Sequence, residues 1–405
     1  MKDKQIEKLI KEEMSRQADT LNLIASENYV SSDVLEALGS ILVNKYAEGY
    51  PASRYYGGNE FIDKIEQLTQ ARALKLFNLS IKEWSVNVQP YSGSPANLAI
   101  YLGLVPQGEK IMGMKLDMGG HLTHGHKVSA TGKFWRQVPY GVNRVSEVLD
   151  YDELSKIAHQ EKPKMIVAGF TAYSRVIDFK KFRKIADEVG AVLMVDMSHF
   201  AGLVAGHAYP SPFPYADVVM TTGHKTLRGP RAALIFSRKQ YSEKIDKAVF
   251  PGLQGGPHVN QIAAIAVALS EAAQPAFKKC AQQIIKNAKL LSSELSRYGW
   301  RIVSGGTDSH LFLVDTWQKG IGGHKAGEML EDASIIVNKN TIPYDTRSPL
   351  DPSGIRLGTA ALTTRGMKEK EMKIVADLIT RTLGGEGSTK IKIEVRALTK
   401  RFPIL

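Results

Sequence analysis

Asp196 closes the apolar run Val192–Val195, with His199 shortly after it, and Gly223-His224-Lys225 closes a second apolar run, Asp217–Thr222. Each run reads as a buried strand whose polar residues begin where the strand stops. That edge is where open α/β sheets carry their chemistry. A carboxylate and a lysine at the ends of two such strands meet the needs of a pyridoxal 5′-phosphate (PLP) enzyme. The lysine forms a Schiff base, and the carboxylate keeps the pyridine nitrogen protonated so that the ring can draw in electrons. On these two residues alone that reading stands level with a plainer one, in which Asp196 caps a turn and Lys225 is one of many solvated lysines.

Other stretches add groups of the same kind. The strand Val86–Val88 runs into Gln89-Pro90-Tyr91-Ser92-Gly93-Ser94-Pro95-Ala96-Asn97 and then a helix. Small residues at a strand-to-helix turn leave backbone N–H groups aligned with the helix dipole, which suits a phosphate. Pro95 fits the first turn, where its missing N–H is not needed. After the strand KIMGMKL comes Asp117-Met118-Gly119-Gly120-His121-Leu122-Thr123-His124-Gly125-His126. The spacing H-x-x-H-x-H on a glycine-rich loop is not a tight helical metal pair. A single histidine, His121, stacked on an aromatic cofactor ranks above a metal, and no metal is expected. Thr171 lies just past the strand Lys164–Gly169, at the same sheet edge as Asp196. Arg356, in SGIRLGT, is flanked by small and apolar residues, and its planar guanidinium suits a substrate α-carboxylate.

The elements that must position these groups alternate along the chain. Strand Lys164–Gly169, helix Asp178–Val189 and strand Ala191–Asp196 follow one another, which predicts a mostly parallel sheet with helices on both faces. Helical spacing covers Phe61–Leu79, a long stretch from Gln261, and residues 276–297 and 366–384. Strands are expected at Arg301–Ser304, Leu311–Val314 and around Ile355-Arg356-Leu357. MKDKQIEKLIKEEMSRQ reads as an amphipathic helix with Ile6, Leu9, Ile10 and Met14 on one side, and it lacks the apolar core of a leader peptide. Residues 21–60 read as a loop. NKYAEGYPASRYYGG sets Tyr46, Glu48, Tyr50, Arg54, Tyr55 and Tyr56 among turn formers, a composition suited to binding or to a subunit contact. The expected organisation is an N-terminal segment 1–60, a large domain 61–270 and a smaller mixed domain 271–405, with the hinge near 270–280.

Composition limits the classes. The chain has 405 residues, 43% of them hydrophobic and 23% charged, which predicts a globular protein of two domains. One cysteine, Cys280, excludes a disulfide framework and fits a reducing, cytoplasmic setting. No apolar stretch approaches the roughly 20 residues that a membrane span requires. The formal net charge is +12, but the basic residues are scattered and no nucleic-acid recognition motif accompanies them. A generally basic surface that steers anionic ligands is the reading, with nucleic-acid binding a distant alternative.

Taken together, LIASEN, NKYAEGYP…RYYGG, VQPYSGSPAN, GGHLTHG, VDMSHFAGLV, TTGHKTLRGPR, FPGLQGGP, SGGTDSHLFLVD and SGIRLGT resemble the serine hydroxymethyltransferase family over essentially the whole chain. The resemblance implies a fold-type-I PLP enzyme with a seven-stranded, mostly parallel sheet and a smaller α+β C-terminal domain. It implies transfer of the serine hydroxymethyl group to tetrahydrofolate, giving glycine and 5,10-methylenetetrahydrofolate, in a homodimer or tetramer. By the same resemblance Lys225 is the Schiff-base lysine and Asp196 the partner of the pyridine nitrogen. His121 stacks on the ring, and His199 and Thr171 sit near its phenolic oxygen. Gly93, Ser94, Thr222 and His224 belong to the cofactor set, with Tyr46, Gly255 and Gly256 completing the phosphate cup from a neighbouring subunit. Ser26 and Arg356 bind the substrate carboxylate, and Glu48 is the proton-transfer group. Tyr56 and Tyr55 line the same pocket, and Leu116, Gly120, Leu122 and Asn340 place the pterin.

Both direct attack of the folate nitrogen on Cβ and retro-aldol release of formaldehyde fit these groups. A folate-independent lyase of β-hydroxy amino acids is the nearer alternative, against which the NKYAEGYP loop and Asn340 argue. The chain departs from the family pattern at Val43, Thr171, Gly223 and Ala360, and in Asn260-Gln261 after GGP. None of these positions changes an essential charge.

Overall fold

The computed structural model describes residues 1–404. It divides the chain into two compact units, one made of Val30–Gln282 and the other of Met1–Tyr29 with the segment from Gln283 onward. The N-terminal residues thus belong with the C-terminal part, and the division falls within the helix Pro275–Arg297, just past the expected hinge. Among the described residues no helix is long and apolar enough to cross a membrane.

The larger unit is built on seven strands: β1 (Trp84–Asn87), β2 (Lys110–Met114), β3 (Arg136–Tyr140), β4 (Met165–Gly169), β5 (Val192–Asp196), β6 (Val218–Thr222) and β7 (Ala233–Arg238). Their order is β1-β7-β6-β5-β4-β2-β3. β7 runs antiparallel to both of its neighbours, β1 and β6, while β6, β5, β4, β2 and β3 run parallel. Every residue of β4 and β6 is buried, which is why these strands read as unbroken apolar runs rather than as alternating ones. On one face Met165, Val167, Met194, Val218 and Met220 pack with Ala96, Ile100 and Tyr101 of the helix Gly93–Leu104. Side chains alternate along a strand, so Asp196 lies on the same face as Met194, toward that helix. Helix Phe179–Val189 starts at Asp178, whose carboxylate caps the Lys181 N–H.

Residues 21–60 are not all loop. Ser32–Leu38 is a helix, begun by the Ser31 hydroxyl accepting from the Val34 N–H. Ser31-Ser32-Asp33 is a helix-start signal, but a helix of 7 residues is too short for its periodicity to stand out from the turn formers around it.

The smaller unit holds an antiparallel sheet of β8 (Arg301–Ile302), β9 (Leu311–Asp315), β10 (Asn338–Asn340) and β11 (Gly354–Gly358), in the order β8-β9-β11-β10. Phe312, Val314, Ile355 and Leu357 pack with Leu21, Leu23, Val375 and Ile379 in one core. The N-terminal segment is tied in by Leu21–Asn22, which pairs in parallel with Ile335–Ile336. Buried Arg365 donates to the carbonyls of Thr20, Ala18, Thr399 and Phe402. Beyond the expected elements, the unit carries helices Gly323–Asp332 and Ser388–Lys400.

Candidate active site

The carboxyl ends of β5 and β6 are neighbours, Asp196 standing in register with Met220. Asp196 is 7% exposed and accepts three hydrogen bonds. His124 Nε2 and Asn97 Nδ2 each donate to Oδ2 at 3.1 Å, and the Ser198 N–H donates to Oδ1 at 3.0 Å. Burial alone would raise the pKa of this carboxyl. The His124 and Ser198 hydrogen bonds and the Lys225 charge outweigh it and hold the group ionised, well below the ordinary carboxylate range. Ser198 also joins the two strand ends, its hydroxyl accepting from the Thr222 N–H at 3.1 Å.

Past β6 the chain turns through Gly223-His224-Lys225, and Lys225 Nζ donates to Thr222 Oγ1 at 3.3 Å. Gly223 is explained by crowding. A Cβ there would stand 2.6 Å from the Pro230 carbonyl oxygen, so any larger side chain would need the backbone to shift. Next door, the Thr226 hydroxyl donates to the His199 carbonyl and accepts from the Gly202 N–H, fixing the turn that holds His199. His199 is buried near Phe170, their rings 6.4 Å apart. Thr171 lies two residues past β4, its N–H donating to the Gly119 carbonyl at 2.7 Å.

His121 caps the single turn Leu122–His124. Its pKa is lowered to about 4, first by burial and then by the neighbouring His124, so the imidazole is neutral at physiological pH. Gly120 lies so close to β2 that a side chain there would overlap the Met114 carbonyl. Leu116 and Leu122 flank this glycine-rich loop, Leu122 well exposed.

The helix Gly93–Leu104 begins at Ser92 with no side-chain cap on its first turn, which leaves N–H groups there for a ligand. A Cβ on Gly93 would stand 2.7 Å from Thr222 Cγ2, so only glycine lets the helix end come this near to β6. His224 has its pKa lowered to about 3 by burial and by the charges of Lys225 and Arg231. Its Nδ1 is buried without a hydrogen-bond partner among the described residues.

A second cluster of the larger unit centres on Glu48. Tyr46 Oη lies 3.3 Å from Glu48 Oε1, and the Tyr46 ring rests against Gly256 and packs edge-on to Tyr56. Tyr55 packs edge-on to Phe250. Tyr91 ties this cluster to the turn before the helix Gly93–Leu104, donating from Oη to the Gly256 carbonyl and from its N–H to Gln254. Beneath it, buried Arg54 donates to the carbonyls of Ala47 and Gly49 on either side of Glu48, and pairs with Glu66 at 2.6 Å and Asp63 at 2.9 Å.

In the smaller unit, Arg356 lies on β11, 5% exposed, with Nε donating to Asn338 Oδ1 at 3.0 Å. Burial lowers its pKa to about 10, and it remains a cation. The segment bearing Ser26 packs on the end of the same strand, the Gly358 N–H donating to the Leu23 carbonyl at 2.8 Å. Asn340, on β10, donates from its side chain to the Thr341 carbonyl.

Sequence reading missed Asn97, Thr123, His124 and Ser198. The signal for His124 was present in GGHLTHG, but its partner, Asp196, lies 72 residues away in sequence and only the fold joins them.

The larger unit fits PLP on its own geometry. It offers a buried anion for a pyridinium nitrogen, a lysine on the turn just past the adjoining strand, a neutral imidazole at the same edge, and an uncapped helix start beside an unpartnered His224 Nδ1 for a phosphate. A PLP-dependent enzyme of fold type I is the class that this sheet and site define. The serine hydroxymethyltransferase family model matches residues 1–379. A serine hydroxymethyltransferase of Acidobacterium capsulatum is 53% identical over 406 residues, covering 99% of this chain and 94% of the relative. One of Desulfotalea psychrophila is 53% identical over 405 residues with the same coverage. The chain belongs to the serine hydroxymethyltransferase family.

Proposed function

We propose that the protein interconverts serine and glycine, with tetrahydrofolate carrying the hydroxymethyl carbon. The observation that carries this reading is the ionised, triply hydrogen-bonded Asp196 at the end of β5, beside a strand that leads into Lys225. PLP, when bound, supplies an electron sink that weakens the bonds at the α-carbon of the amino acid. Asp196 holds negative charge against the ring nitrogen, and His121 covers the ring face. Lys225 anchors the cofactor through Nζ and carries a proton there. Gly93, Ser94, Thr222 and His224 hold the phosphate end, and His199 and Thr171 flank the phenolic oxygen.

Arg356 and Ser26 take the substrate carboxylate. Fixing that group would orient the amino acid and restrict which bond at its α-carbon can break. Glu48 holds or passes the proton of the serine hydroxyl at its carboxylate, with Tyr56 and Tyr55 around it. Leu116, Gly120, Leu122 and Asn340 place the pterin. Tyr46, Tyr55 and Tyr56 are 50% or more exposed, which supports a homodimer in which a second copy covers this cluster and Tyr46, Gly255 and Gly256 complete the neighbour's phosphate cup. The lone Cys280 supports a cytoplasmic setting.

Serine cleavage measured with and without tetrahydrofolate tests the reading. Glycine formation is expected to depend on the folate and to yield methylenetetrahydrofolate. Equal rates in its absence would make the protein a folate-independent lyase.

A further inference from the structure

Two hydrogen bonds from backbone N–H groups, which can only donate, fix the tautomers of both histidines near Asp196. The Thr123 N–H donates to His121 Nδ1 at 3.2 Å, so that nitrogen presents a lone pair. The His121 N–H donates to His124 Nδ1 at 3.3 Å. His124 therefore carries its proton on Nε2, the nitrogen that faces Asp196. With His121 Nδ1 already an acceptor, the Thr123 hydroxyl at 2.7 Å must donate to it. That hydroxyl in turn accepts from Asn97 Nδ2 at 2.8 Å, and the same Nδ2 donates its other hydrogen to Asp196 Oδ2 at 3.1 Å.

The orientation of the Asn97 amide follows from chemistry, since an ionised carboxylate offers only lone pairs and must face the NH2 group. It leaves Asn97 Oδ1 buried without a partner among the described residues, which is unfavourable for a buried acceptor. Asn97 is 1% exposed and Thr123 is 5% exposed, so neither group can turn toward solvent for an alternative.

We propose that Asn97 is a positioning residue that ties the stacking imidazole to the nitrogen-partner carboxylate: one amide group orients Asp196 directly and, through the Thr123 hydroxyl, holds His121 as the Nε2–H tautomer in one ring plane. His121 is then a fixed donor at Nε2. Its Nδ1 lone pair is committed within the relay and takes no part in moving substrate protons. The inference rests on the cofactor assignment for the role of His121, while the relay itself is a property of the protein alone.

The test combines nitrogen NMR of [15N]histidine-labelled protein, with His121 assigned through His121→Gln, and cofactor dissociation followed by fluorescence. Both are run on wild type, Asn97→Ala, Thr123→Val and Thr123→Ser. Wild type is expected to show an unprotonated Nδ1 and a protonated Nε2 at His121, with and without PLP. Thr123→Val and Asn97→Ala are expected to shift the Nδ1 resonance and to raise the PLP Kd about tenfold, the loss of roughly one net hydrogen bond. Thr123→Ser, which keeps the hydroxyl, is expected to restore both. A His121 signal unmoved in Thr123→Val, or a Kd equal to wild type in both disrupting variants, would overturn the relay. Wild-type protein that binds no PLP would instead remove the cofactor assignment, and the nitrogen shifts would still report on the hydrogen bonds. Should Asn97→Ala not fold, the Thr123 pair decides the outcome alone.

Discussion

Asp196 and Glu48 are the two carboxylates at the heart of the proposed chemistry, and their surroundings are opposite. Asp196 is sealed in by His124, Asn97 and Ser198, each donating a hydrogen bond, on elements of the sheet core. Glu48 lies on a loop among Tyr46, Tyr55 and Tyr56, all exposed, and its carboxylate meets the Tyr46 hydroxyl at 3.3 Å. A group that must keep one charge state is best held by many fixed donors in a dry site. A group that must take up and release a proton needs a surrounding that can change with the substrate. The rigid part of the loop is underneath, where Arg54 holds the carbonyls flanking Glu48. The position of Glu48 is thus fixed through its backbone neighbours.

Variants can break this contrast. Lys225→Ala, which removes the proposed cofactor anchor, is expected to cut serine cleavage by more than about ten-thousandfold, read by glycine formation. Glu48→Gln should keep the absorbance of bound cofactor while folate-dependent transfer falls by on the order of a thousandfold. Full transfer in that variant would remove Glu48 from proton handling. Asp196→Asn should lower turnover by roughly a hundred- to a thousandfold, with weaker cofactor binding in equilibrium dialysis.

Asp196 also predicts a pH dependence of stability. Its pKa is depressed in the folded protein, so ionisation stabilises the fold at pH values above the unfolded-state pKa of about 3.9. That contribution is lost as pH falls below this value toward the folded pKa. In urea unfolding, the stability difference between wild type and Asp196→Asn should stay constant down to about pH 4 and narrow below it. A constant difference to pH 2 would mean that this carboxyl titrates normally. Last, Arg54→Met leaves Glu66 buried without its cation, still held by Gln89, at a cost of about 3–5 kcal/mol in unfolding free energy. Its residual activity should fall through misplacement of Glu48 rather than through loss of cofactor.

The parts legible in the sequence were those whose cause is local. β4, β5 and β6 announced themselves as apolar runs because both faces of the sheet are covered, and Asp196 and Lys225 stood out because strand ends interrupt such runs. The helix Gly93–Leu104 was marked by small residues and Pro95 at its start. Asn97 and His124 escaped notice because their meaning is a contact with Asp196, made by packing one helix and one loop on the sheet. The placement of Met1–Tyr29 with the C-terminal part was hidden for a similar reason. The pairing of Leu21–Asn22 with Ile335–Ile336 spans most of the chain, and neither two-residue strand has a period to read.

The most direct test of the central claim is borohydride reduction of the PLP-loaded protein followed by peptide mass spectrometry. The pyridoxyl mass should appear on the tryptic peptide containing Lys225 and disappear in Lys225→Arg. A stable pyridoxyl mark on another lysine, or none at all on protein that has taken up PLP, would contradict the account.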